Sequence, residues 1–155
     1  MEILLNNVSV VPLCKEAVTT ASDLEKEALG HEAWSAEAIK ETLEHNGRYF
    51  AAFLDGEYLG HGGFAFAADE GYITNVVVSK KARRQGIASR ILEEMLNEAA
   101  KLQLRFLSLE VRESNESAIA LYKRTGFTER GRRPNFYSEP KETAIIFTKD
   151  IEVNL

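Results

Sequence analysis

Between Ala88 and Lys101 the chain alternates with the period of a helix. Ala88, Ile91, Leu92, Met95, Leu96 and Ala99 fall on one face, and Arg90, Glu93, Glu94, Asn97, Glu98 and Lys101 on the other. The pattern predicts an amphipathic helix lying on a core. A longer helical region runs from Glu16 to His45. It breaks at the glycine that ends "KEAVTTASDLEKEALG" and resumes in "SAEAIKETLEH", where Ser35 is placed to cap the new helix. A short helix, "ESAIALYKR", is stopped by Gly126.

Elsewhere the period shortens. Residues 2–11 read as a first strand, and "RYFAAFLD", "EYLGHGGFAFA" and "GYITNVVV" as further strands, with Asp55-Gly56 a hairpin signal between the first two of these. In "RFLSLEVR", Leu107, Leu109 and Val111 alternate with Phe106, Ser108 and Glu110, which predicts a strand with one face on the core. "FTERGRR" and "TAIIFTKDI" close the chain as strands flanking a loop, "PNFYSEP". Strands interleaved with helices predict an α/β (α+β) layer around a mixed sheet. No repeat or linker divides the 155 residues, so a single domain over 1–155 is expected.

Composition removes several function classes. A hydrophobic fraction of 45% with 28% charged residues is that of a soluble globular protein, and no stretch approaches the roughly 20 apolar residues of a bilayer span. "MEILLNNVSV" has neither the basic region nor the apolar length of a secretory signal. The single cysteine, Cys14, excludes an internal disulfide and suits a reducing compartment, so the expectation is a cytoplasmic protein without membrane attachment. A net charge of −5 opposes nucleic-acid binding, which needs a broad basic face. His31, His45 and His61 are scattered without paired ligand spacing, so no metal is expected.

Against this acidic background Lys80, Lys81, Arg83, Arg84 and Arg90 crowd around one strand-to-helix turn, "RRQGIAS". A helix start leaves backbone N–H groups unpaired and carries partial positive charge, so it attracts phosphate. Gly86 removes a side chain where a ligand would come closest, and the cations would add charge-assisted hydrogen bonds. A Walker A loop needs a further glycine followed by Lys and Ser/Thr, and a dinucleotide fingerprint needs three spaced glycines; both are absent. Arg83, Gly86 and Ala88 fit Arg/Gln-x-x-Gly-x-Gly/Ala instead, a pattern that cradles the pyrophosphate of coenzyme A.

That pattern, with "ITNVVV", "ARRQGIASRILEEML", "LEVRESNESAIALYKRTGF", "RRPNFYSEPKETAII" and "AWS" at 33–35, resembles the GNAT N-acetyltransferase superfamily. The resemblance implies a mixed, mostly antiparallel sheet of six or seven strands flanked by about four helices, with acetyl-CoA as co-substrate and no metal. It implies that the main chain of Val76, Val77 and Val78 meets the thioester and pantetheine arm. Arg83, Arg84, Gln85, Gly86, Ile87, Ala88 and Ser89 would hold the pyrophosphate, with a contact from Asn115, which also sits where a helix N-cap belongs.

The same resemblance makes Glu110 the general base and Tyr122 the general acid. By periodicity alone Glu110 reads rather as a solvated strand glutamate and Tyr122 as a core aromatic. Within the superfamily the chain is similar to bacterial enzymes that acetylate the N-terminal alanine of a ribosomal protein. The implied partner is therefore the N-terminus, alanine or serine first, of a small-subunit ribosomal protein, with Trp34 and Tyr137 on the acceptor side. A small-molecule amine or another peptide N-terminus is the alternative acceptor. An α-amine, with a reference pKa of about 7.7–8.0 against about 10.4 for lysine, needs only a modest base. Ala33 in place of a proline before Trp34, Phe136 in place of a tyrosine, and Pro134 before the asparagine depart from the pattern on that acceptor side.

Overall fold

The computed structural model describes residues 3–152. Its strands are β1 (Ser9–Pro12), β2 (Gly47–Leu54), β3 (Glu57–Ala67), β4 (Glu70–Val78), β5 (Phe106–Arg112), β6 (Thr128–Ser138) and β7 (Lys141–Asp150). Its α-helices are α1 (Val18–Leu29), α2 (Ala36–His45), α3 (Ile87–Lys101) and α4 (Glu116–Arg124). The strands form one sheet in the order β1-β2-β3-β4-β5-β7-β6, antiparallel throughout except for the parallel β4–β5 pair.

Strand alternation divides the core between the faces of this sheet. On β2, Phe50 and Ala52 join a large cluster with Ile91, Leu92 and Met95 of α3, and with Leu121 and Tyr122 of α4. Tyr49 and Ala51, one residue out of phase, join a smaller cluster with Ala21 of α1 and Ile39 of α2. Helix α3 buries Ile91, Leu92, Met95 and Ala99, as its period predicts. It can lie close to the sheet because Gly62 carries no side chain: a Cβ there would sit 2.8 Å from the Met95 sulfur and 2.9 Å from Ile91 Cγ2. Ser35 caps α2, its hydroxyl accepting from the Ala38 N–H at 3.1 Å. Asp55 (φ 50°) and Gly56 (φ 81°) make the predicted tight hairpin between β2 and β3.

Two expectations change. The first strand is confined to Ser9–Pro12, and Leu5–Asn7 form a 3-10 turn; residue 2 lies outside the described residues. The turn is tied to the start of α3 rather than to a strand. Ile3 N–H donates to Gln85 Oε1 at 2.6 Å, and Arg90 donates to the Leu5 carbonyl at 3.0 Å. The second change is at "PNFYSEP", read as a loop, whose residues 134–138 extend β6. β6 is an edge strand, so the missing N–H of Pro134 can face outward, and the irregular pairing between Arg133 and Tyr137 absorbs Asn135 at φ 58°.

Candidate active site

The site begins where two strands part. The parallel β4–β5 ladder runs only from Glu70↔Phe106 to Tyr72↔Ser108, while β4 continues to Val78 and β5 to Arg112. A bulge bends β4 at this point. Phe64 of β3 pairs with Ile73 and Gly63 with Asn75, leaving Thr74 as the extra residue. The Thr74 hydroxyl lies 2.9 Å from the Tyr49 hydroxyl and 3.2 Å from the Gly63 carbonyl, which holds the bulge in place. Beyond it, the β4 main chain has no strand on its β5 side. A cleft of about 120 Å³ opens there, lined by Thr74, Asn75 and Val76 of β4, Glu110 of β5, Asn115 and Tyr122 at α4, Leu29 at the end of α1 and Glu32 beyond it, and Tyr137 of β6.

One end of the cleft leads along β4 into the glycine turn. Val76 lines the cleft, whereas Val77 and Val78 have buried side chains, so any role for that pair rests on their main chain. Arg83 Nε donates to the Val78 carbonyl at 3.0 Å and closes the turn. Arg84 at φ 63° and Gly86 at φ 83° both adopt the left-handed conformation, and Gly86 is the N-cap of α3 with no side-chain cap. Helix geometry therefore leaves the N–H groups of Ile87, Ala88 and Ser89 for an external acceptor, beside the positive end of the helix dipole. Leu5 packs over Gly86; a Cβ added there would lie 3.0 Å from its Cδ1.

The cationic cluster is less available than its sequence suggested. Arg90 is bonded to the Leu5 carbonyl, Lys81 is paired with Glu57, and the Gln85 carbonyl oxygen receives Ile3 N–H. Among the described residues, Lys80 and Arg84 are the cations of this cluster without a protein hydrogen-bond or ion-pair partner.

On the other side, the geometry brings Glu110, Tyr122, Asn115 and Tyr137 to one cleft. Glu110 keeps 34% of its side chain exposed, with Arg133 Nε at 3.9 Å from its carboxylate. Tyr122 is buried, its ring edge-on to Phe127 with centroids 5.4 Å apart. Burial, and then the nearby Tyr137, pushes its phenol above the ordinary value, so the hydroxyl stays protonated. Among the described residues that hydroxyl has no protein partner. Asn115 does cap α4, its Oδ1 accepting from Ala118 N–H at 3.2 Å, and it leaves its amide nitrogen for the cleft.

Arg112 was legible only as the end of "LEVR", yet it organises the cleft mouth. Its guanidinium donates to Glu32 at 2.9 Å, to Glu142 at 3.2 Å and to the Pro140 carbonyl at 2.8 Å, and lies 4.2 Å from the Tyr137 ring centroid. Its burial opposes the charge, but the hydrogen bonds to Glu32 and Glu142 outweigh that and raise its pKa. Tyr137 is pushed up to about 12 by burial and then by the carboxylates of Glu32 and Glu110. Trp34 does not line the cleft; its side chain packs on the smaller core, and the segment before it supplies Leu29 and Glu32 instead. Sequence reasoning also passed over Glu25, His61 and Asn75. The pair Thr74-Asn75, polar inside the apolar run of "ITNVVV", was the visible signal. Among the described residues no acidic, His or Cys group is arranged to hold a metal ion, and no helix is long and apolar enough to cross a membrane.

The sheet is thus split between its parallel strands, with an anion-receptive turn at the end of the split. The chain belongs to the acetyltransferase (GNAT) family, whose sequence profile matches residues 15–127. It is 39% identical over 87 residues to the ribosomal protein bS18-alanine N-acetyltransferase of Escherichia coli, a match spanning 55% of this chain and 59% of that one. A Bacillus subtilis protein to which the same activity is provisionally assigned is 30% identical over 115 residues, 73% of this chain and 76% of the relative. The crystal structure of the Escherichia coli S18-alanine N-acetyltransferase superposes with a TM-score of 0.86 at 28% identity, covering 96% of both chains.

Proposed function

We propose that this chain is an N-terminal acetyltransferase of the RimI type, acting as one domain in the cytoplasm. It moves the acetyl group of acetyl-CoA directly onto the α-amine, alanine or serine first, of a small-subunit ribosomal protein. The observation that carries the reading is the presence of Glu110 and Tyr122 on one cleft, at the place where β4 leaves β5. Family membership and the two relatives named for bS18-alanine acetylation support the acceptor.

The residues of the glycine turn fit a pyrophosphate: the first turn of α3 is uncapped, and Gly86 has neither a side chain nor room for one. Acetyl-CoA supplies the activated thioester. The main chain of Val76 to Val78 lines its path, with Asn115 across the cleft. Glu110 removes a proton from the acceptor ammonium, directly or through water, and its exposed third returns that proton to solvent. As the amine nitrogen bonds to the acetyl carbon and the carbon–sulfur bond breaks, Tyr122 gives its phenolic proton to the departing sulfur, the nitrogen sheds its second proton through Glu110 to solvent, and water restores the Tyr122 phenol. Tyr137 of β6 and Glu32 form the acceptor-side wall, Glu32 in a segment anchored by Trp34. Cys14 is exposed and is not among the cleft residues, which favours direct transfer over an acetyl-cysteine relay.

The test is thiol release and product mass with acetyl-CoA and either an alanine-initiated basic hexapeptide or a panel of small amines. The peptide is expected to react at its α-amine. Reaction of the small amines alone would reassign the acceptor to that class.

A further inference from the structure

The cleft accounts for Glu110 but not for a second carboxylate behind it. Glu25 of α1 has a fully buried side chain and no Lys or Arg partner among the described residues. Its Oε1 accepts the Trp34 backbone N–H at 2.9 Å and the Asn75 Nδ2 at 2.8 Å. Its Oε2 is 2.7 Å from His61 Nε2, and His61 Nδ1 is 2.7 Å from the Tyr58 hydroxyl. Ser22, one helical turn earlier, donates to the Trp34 carbonyl at 2.9 Å. Both main-chain groups of Trp34 are thus held from α1.

These bonds join two walls. Asn75 follows the bulge of β4 and lines the cleft, while Trp34 ends the short segment in which Leu29 and Glu32 line it from the other direction. A carboxylate this deeply buried is costly unless every lone pair is used, and a well-packed apolar cluster would stabilise the same space at least as well. What the polar cluster adds is a fixed distance between the walls. We infer that Glu25 is a positioning residue that registers the acceptor wall (Leu29 to Trp34) against the donor strand at Asn75, and thereby sets the fit of the acceptor. The inference rests on reading this cleft as the acceptor site.

Trp34 is the chain's one tryptophan, so its fluorescence reports the segment directly. In Glu25→Ala, acrylamide quenching of Trp34 is expected to rise by about twofold or more. The KM for the alanine-initiated peptide should rise by about tenfold or more, while the KM for acetyl-CoA stays within about twofold. Glu25→Gln keeps an oxygen for Trp34 and Asn75, and should restore both readouts to within about threefold of wild type. In the unmodified protein, the Trp34 amide should exchange at least about 100-fold more slowly than a free amide, a measurement that stands even if the alanine variant does not fold. Unchanged quenching and peptide KM in a folded Glu25→Ala protein, or an unprotected Trp34 amide, would overturn the inference. So would a loss of acetyl-CoA affinity equal to that of the peptide and not restored by glutamine, since that marks a merely structural residue. If no peptide is acetylated at all, the proposed acceptor fails, while quenching and exchange still decide whether Glu25 braces the wall.

Discussion

The two ends of the cleft are made from different materials. The end proposed for the donor is a contiguous run from Val76 to Ser89, presented mainly as main chain: a strand edge without a neighbour, a left-handed turn, and an uncapped helix start. The acceptor end is made of side chains from distant segments, with Glu32 after α1, Arg112 on β5, Tyr137 on β6 and Glu142 on β7 linked through one guanidinium. Main-chain sites are insensitive to most substitutions and fail when the backbone itself is strained. Side-chain sites fail piece by piece and depend on ionisation. The proposed catalytic pair, Glu110 and Tyr122, stands between them and should belong to neither failure mode.

The largest effect should come from that pair. Glu110→Gln and Tyr122→Phe are each expected to lower kcat by about 10²- to 10³-fold, the usual range for loss of a general base or acid, with acetyl-CoA affinity within about twofold of wild type. Steady-state kinetics with calorimetric acetyl-CoA titration reads both quantities. Wild-type turnover in either variant removes that residue from the mechanism. A matching loss of acetyl-CoA affinity would place it on the donor end instead. Because burial raises the Tyr122 phenol, no loss of activity from its ionisation is expected up to its ordinary value of about 10.

Strain at the donor end comes next. Gly86 sits at φ 83° with Leu5 against it, and a non-glycine residue in the left-handed region costs about 1–2 kcal/mol. Gly86→Ala should therefore weaken acetyl-CoA binding by about tenfold while leaving the peptide KM unchanged at saturating acetyl-CoA. If the peptide KM rises as much as the acetyl-CoA KM, the two ends are not separable in the way their construction implies.

The same contrast explains what could be read from the sequence. The α3 stripe, the Ser35 cap, the Asp55-Gly56 turn and the β5 alternation are local patterns, and each appears where its period or cap placed it. The donor turn is local too, which is why "RRQGIAS" pointed to it. Leu5–Asn7 and residues 134–138 were misread because their conformation is set by distant partners: the α3 start for one, the outer edge of β7 for the other. The acceptor end suffers most from this. The resemblance put Trp34 on the acceptor side, yet its neighbours Leu29 and Glu32 reach the cleft, and nothing in single-chain periodicity ties Arg112 to Glu32 and Glu142. On the proposed reading, the sulfur-and-phosphate donor would be held by sequence-adjacent atoms and the acceptor by tertiary contacts.

The smallest expected effect separates the ends by acid. Glu142 receives the Ser114 N–H at 2.7 Å and the Arg112 guanidinium at 3.2 Å, and these bonds, Ser114 first, hold its carboxyl below the usual glutamate range. A carboxyl depressed in the folded state contributes stability that is fully present above its unfolded pKa, near 4.3, and is lost as pH falls through the folded value. Glu142→Gln should accordingly lower the midpoint of thermal unfolding at neutral pH. The difference from wild type should shrink as pH drops below about 4.3 and vanish in stronger acid. The donor turn is held by the Arg83, Gln85 and Arg90 bonds to main-chain atoms, with no carboxylate among them. In wild type, the Ser114 amide should therefore lose its protection from exchange before the Ile3 amide, which ties the donor turn, as acid is added. Equal loss at both places, or a gap between variant and wild type that persists unchanged into acid, would show that Glu142 does not hold the acceptor end by its charge.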